Sequence, residues 1–143
     1  MKTLKKSLTL FLLFTFLSVN AQTTKDQLIG KWKGEDGKEI GYMTFDSQGY
    51  AAFEVNGQII GGKEFELDGK KGMMEYQIIS QEKDLIKLDF IVTVFEKPKK
   101  VKSLMSIFKI IDYDTIKVAL GFNDIRPTEF DVDNSIILKR EKN

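Results

Sequence analysis

Apolar and polar positions alternate with a period of two over most of the chain after Gly30. The clearest stretch is Ile86 to Val94. Ile86, Leu88, Phe90, Val92 and Val94 form one apolar row, interleaved with Lys87, Asp89, Ile91 and Thr93. Successive side chains on a strand point to opposite faces, so this pattern predicts a half-buried strand. Ile116, Val118 and Leu120 alternate with Lys117 and Ala119 in the same way. Strands are expected at about 31–35, 39–46, 50–55, 58–67, 73–80, 85–95, 101–111, 115–120 and 135–140. Between them fall Asp36-Gly37, Ser47-Gln48-Gly49, Asn56-Gly57, Asp68-Gly69 and Asp112-Tyr113-Asp114. Asn-Gly and Asp-Gly tolerate positive φ and suit two-residue hairpins. One helical turn is expected, where Thr24-x-x-Gln27 has the form of a capping box and Gly30 stops the turn.

Nine or so short strands on tight turns give an all-β fold, an antiparallel up-and-down β-barrel of about 8–9 strands with a short N-terminal helical turn. A sandwich is the other closure. Barrel closure removes exposed edges, and hairpin-length connections favour it over a Greek key.

The N-terminus reads differently. Lys2, Lys5 and Lys6 precede the apolar run Leu8–Leu17, and Ser18-Val19-Asn20-Ala21 follows with small or β-branched residues at the −3 and −1 positions. Residues 1–21 are therefore expected to be a cleaved signal peptide, with the domain spanning 22–143. The run is about half the roughly 20 residues that a spanning helix needs. The expected address is periplasmic or secreted. With no cysteine, a lipid anchor on the new N-terminus is excluded and no disulfide can form. Removing 1–21 takes away three lysines and no acid, leaving 19 basic and 21 acidic residues, a net −2. That balance argues against a nucleic-acid partner.

The absence of His and Cys removes the commonest general base, the thiol nucleophile and the favoured transition-metal ligands. A Ser-Lys pair through Ser103 or Ser106 has no supporting motif. Glu64 and Glu66 would lie about 7 Å apart on one strand face, the usual solvent side of a strand. No enzyme, metal or cofactor is implied. The apolar set offers more. Phe45, Phe53, Phe65, Tyr76, Phe90 and Met105 are expected to point into the barrel, together with Val55, Leu88, Val92, Ile107, Ile116, Val118 and Leu138. They either pack the interior solid or line a cavity for a small hydrophobic ligand. Gly41, Ala51, Ala52, Gly61 and Gly62 are small enough to leave room. Glu96-Lys97-Pro98-Lys99-Lys100-Val101-Lys102 is a basic hairpin tip, read as a solvated turn that blunts an edge. Further aromatic side chains at its rim would turn it toward polyanion or membrane-surface contact.

Gly30-Lys31-Trp32, at the start of the first strand, resembles the opening motif of lipocalins and related calycin barrels. The resemblance implies that Trp32 packs across the closed end of a barrel. It also implies that an Arg from the last strand stacks on Trp32 and bonds to the opening backbone. Arg140, at the end of Ile136-Ile137-Leu138-Lys139-Arg140, matches that Arg. The chain has 20 lysines but only two arginines, Arg126 and Arg140, which marks positions needing a planar fork rather than a charge alone. Leu28-Ile29-Gly30-Lys31-Trp32, Arg126-Pro127-Thr128-Glu129-Phe130 and Leu138-Lys139-Arg140 also resemble the two ends of an uncharacterised bacterial lipocalin-like domain. Together with the signal-like start and the missing His and Cys, this gives the expectation of a non-enzymatic, exported, lipocalin-like barrel that binds a small hydrophobic molecule. The alternative is an envelope or secreted interaction module with a solid core.

Overall fold

The computed structural model describes residues 24–35 and 37–142. The expected signal peptide lies outside them, as does Asp36 of the first turn. Helix α1 (Thr24–Leu28) leads into ten strands: β1 (Gly30–Gly34), β2 (Ile40–Phe45), β3 (Ala51–Val55), β4 (Gln58–Gly61), β5 (Phe65–Leu67), β6 (Lys70–Glu82), β7 (Leu85–Val94), β8 (Lys100–Asp112), β9 (Thr115–Gly121) and β10 (Ser135–Arg140).

They form one antiparallel sheet in the order β4-β3-β2-β1-β10-β9-β8-β7-β6-β5. Each strand therefore pairs with its sequence neighbours, except β4 with β5, and β1 pairs with β10 through Trp32 opposite Arg140. The result is an up-and-down barrel, nearly closed. The remaining seam lies between β4 and β5. Below it the barrel is stitched by bonds from Met74 N–H to Gly62 O (2.9 Å) and from Tyr76 N–H to Gly49 O (2.9 Å).

Two turns have the conformation their residues favour. Asn56 and Gly57 have φ of 52° and 79°, and Asp68 and Gly69 have 52° and 76°, the left-handed pair of a tight hairpin. The expected single strand 58–67 is instead two strands. Gly61 and Gly62 both take positive φ, 124° and 78°, and turn the chain there. Gly61 leaves no cavity. A Cβ there would sit 2.5 Å from Ala51 O, so its smallness serves the close approach of β3 and β4. The capping box does not close either: Gln27 Oε1 is buried with no hydrogen-bond partner among the described residues.

The inward rows are legible on most strands. Leu88 and Phe90 of β7, Ile116 and Val118 of β9, and Ile136 and Leu138 of β10 are all buried in one cluster. On β8 the expectation was one residue out of phase. Phe108 is in the core with Leu104 and Ile110 packed against it. Met105 and Ile107 therefore face outward. Ser106 takes the inward position, fully buried, because its hydroxyl donates to Leu88 O (2.6 Å).

Candidate functional site

The two ends of the barrel differ. At one end Trp32, 1% exposed, donates its indole N–H to Leu28 O (2.9 Å). The Arg140 guanidinium lies over its ring at 4.2 Å and against the Tyr113 ring at 4.6 Å. It donates from Nη1 to Ile29 O (2.9 Å), from Nη2 to Gln27 O (2.8 Å), and from Nε and Nη2 to Tyr113 O (3.2 and 3.1 Å). One planar fork thus ties the last strand to α1, to the residue before β1 and to the β8–β9 turn. Gly30 has φ 135°, and a Cβ there would stand 3.1 Å from Arg140 Nη1. Gly30, Trp32 and Arg140 are brought together, and they seal this end.

Above the seal the barrel is filled. Phe45 touches Tyr76, Phe90 and Phe108 with ring centroids 5.0, 6.0 and 5.8 Å apart, and Phe53 meets Phe90 at 4.8 Å. Four of the six expected lining residues (Phe45, Phe53, Tyr76 and Phe90) thus pack against each other rather than around a space. The Tyr76 hydroxyl donates to Asp46 O (2.8 Å). Burial, and then the nearby Asp46 carboxylate, push its pKa above the ordinary tyrosine value.

Phe65 lies elsewhere. It is half-buried over Gly72 and lines a cleft of about 250 Å³ in the seam, with Ile60, Leu67, Val92 and Val94. Met105 is on the outer face of β8 and lines nothing inside. Of the polar candidates, Ser106 donates to Leu88 O, and Glu64 falls in the bend before β5 rather than on the strand with Glu66. No group of three or more His, Cys, Asp or Glu that could hold a metal ion occurs among the described residues.

The opposite end is open. Val92, Val94, Lys100, Val101, Lys102, Ser103, Leu104, Gly121, Phe122 and Asp124 line a cleft of about 870 Å³. Val92 opposes Lys102 and Val94 opposes Lys100 across the β7–β8 ladder, so these residues share the inward row. A second cleft of about 360 Å³ adjoins it at Phe122 and is lined by Ile40, Leu120 and Ile136 among others. The mouth is thus a mainly apolar cup, with Lys100, Lys102 and Asp124 among its lining residues. Comparison with protein-family models, curated proteins and solved structures found no match.

The wall that carries Phe122 is held by Arg126. Its Nη2 pairs with Asp89 Oδ1 (2.6 Å) and its Nη1 donates to Ser106 O (2.8 Å). Asp89 is on the outer face of β7, so the β9–β10 connection (residues 122–134) folds back over the outside of β7–β9. A Cβ on Gly121 would fall 2.0 Å from Ile125 O, so only glycine admits that return. The loop also explains why Ile107 and Ala119, paired on the outer face, are 2% and 0% exposed. The scarcity of arginine marked Arg126 in the sequence, but its partners are 37 and 20 residues away and no spacing rule names them. Arg126→Ala is expected to release the connection while leaving the barrel folded. Amide exchange over 122–134 should rise at least tenfold, a local loss of about 1.4 kcal/mol, with little change in the core amides. Unchanged exchange in the loop would show that it is held by other contacts.

Proposed function

We propose that this chain is an exported, non-enzymatic, lipocalin-like barrel that binds a small hydrophobic molecule in the cup at its open mouth. The observation that carries the reading is the cup itself. At about 870 Å³ it falls within the range of ligand sites, and its walls include Val92, Val94, Leu104 and Phe122. The position of Arg140 over Trp32, with Gly30 beneath the fork, supports the lipocalin-like part of the reading. The sequence of residues 1–21 supports export. The chain holds no His and no Cys, which supports a non-enzymatic role.

The filled interior restricts where the ligand goes. It sits above Phe53 and Phe90, not among them, so one part of a long molecule stays near solvent. A hydrophobic fluorescent probe is expected to bind with one-to-one stoichiometry. Leu104→Trp, which fills the floor of the cup, should weaken that binding at least tenfold. Ile111→Trp, on an exposed position at the sealed end, should not. Equal binding by both variants would remove the cup from the reading. The solid aromatic core favours a second reading, an interaction module of the envelope. Failure of the wild-type protein to bind any apolar probe, with a specific protein co-purifying, would select it.

A further inference from the structure

The β7–β8 hairpin tip stands beside the mouth and combines two features. The first is charge. Residues 95–102 contain four lysines and one glutamate, a net +3. The glutamate is already occupied: Glu96 pairs with Lys70 (3.0 Å) and Lys100 (3.2 Å), and these two bonds hold its carboxyl below the ordinary glutamate range. Lys97, Lys99 and Lys102 make no ion pair among the described residues, and Lys99 lies 5.6 Å from the Phe95 ring.

The second feature is apolar exposure. Phe95 is 43% exposed, Val101 65% and Phe122 69%. Thr93 opposes Val101 on the ladder, which makes Phe95 and Val101 diagonal neighbours on the outer face of the tip. Val101 and Phe122 in turn line the same cleft. Several other exposed apolar side chains lie beside acids. Ile111 and Tyr113 flank Asp112 and Asp114, whereas Ile125 and Val132 sit in a segment carrying Asp124, Glu129, Asp131 and Asp133.

We infer that this corner is a contact site for an anionic lipid surface, with the unpaired lysines at the headgroups and Phe95, Val101 and Phe122 entering the interface. A basic cluster beside exposed aromatic and aliphatic side chains is what such a surface attracts, by charge and by apolar burial together. A soluble polyanion would use the lysines and leave the three apolar side chains without a role, so the lipid surface is the occupant the arrangement fits. The inference does not rest on ligand binding in the cup: Phe95, Lys97 and Lys99 lie outside its lining, while Val101, Lys102 and Phe122 form part of its wall.

Sedimentation with vesicles tests it. Wild-type protein should pellet with vesicles that are one-third phosphatidylglycerol, not with pure phosphatidylcholine, and the binding should fall as salt rises. The charge-reversal variant K97E/K99E/K102E should bind at least tenfold more weakly, given a factor of roughly five per lysine removed from such a surface. The variant F95S/V101S/F122S should also lose at least tenfold toward vesicles while keeping its affinity for heparin. Phe95→Trp adds a signal that needs no affinity measurement: its emission should shift to the blue with anionic vesicles, above the constant contribution of the sealed Trp32. The inference fails if the wild-type protein stays in the supernatant at low salt. It also fails if the apolar triple variant binds vesicles as the wild type does, since the site would then be a simple polyanion patch.

Discussion

Arg140→Lys should lower the stability of the barrel by about 2–4 kcal/mol, although it keeps the charge and most of the length of the side chain. The estimate follows from what a lysine cannot do. The guanidinium reaches Gln27 O, Ile29 O and Tyr113 O at once, while its flat face lies on Trp32 and Tyr113. A lysine ammonium is a point donor and can serve one or two of those carbonyls from one position, without the flat contact. Each lost bond from a charged donor is worth about 1.5–3 kcal/mol, partly recovered by water at this mostly buried site. The loss should appear as a fall in Tm of roughly 8–15 °C for a domain of this size. Trp32 is the only tryptophan, so its fluorescence reports the same place directly. A variant with wild-type urea midpoint and unchanged emission would show that the seal does not depend on the fork.

Phe90→Ala should cost about 3–5 kcal/mol, among the largest effects open to a single substitution here. Phe90 is fully buried and its ring meets Phe45 at 6.0 Å, Phe53 at 4.8 Å and Phe108 at 6.1 Å. Three of the surrounding groups are rigid rings, which cannot collapse into the space as flexible aliphatic chains do. The cost therefore belongs at the upper part of the usual range. The same substitution separates a filled barrel from a hollow one. If the interior is packed, the variant gains space beneath the cup and should bind a small apolar probe more deeply, with slower release than the wild type. A loss below about 1 kcal/mol would mean that the centre of the barrel was already loosely packed.

The sequence was easiest to read where one face of a strand meets the core and the other meets water. On β7 the charged residues Lys87 and Asp89 alternate with Leu88 and Phe90, and the burial follows that alternation. It was misleading on β8, where Leu104-Met105-Ser106-Ile107-Phe108 offers apolar side chains to both faces. The outer face there is not solvent but the underside of the β9–β10 connection. Ile107 is buried against it, and Ser106 goes inward because Leu88 O gives its hydroxyl a partner. No local pattern carries that information, since the covering segment begins 16 residues after Ser106.

The candidate site divides the same way. Its sealing residues were legible through the resemblance of Gly30-Lys31-Trp32 and Arg140 to the ends of lipocalin-like barrels, which the scarcity of arginine sharpened. The mouth was not, because Val92, Leu104 and Phe122 are ordinary strand and loop residues until the strands are wound into a barrel.

The sequence by itself determined an antiparallel all-β chain with hairpin turns at Asn56-Gly57 and Asp68-Gly69, and the absence of histidine and cysteine chemistry. These follow from local rules: period-two alternation, positive φ and side-chain type. Only the tertiary structure decided that Gly61 and Gly62 split one expected strand into two, that Phe45, Phe53, Tyr76 and Phe90 fill the interior, and that the remaining space lies at the mouth beside the basic tip. Those outcomes depend on which residues meet across the barrel, and such meetings are set by closure of the whole sheet rather than by any one segment.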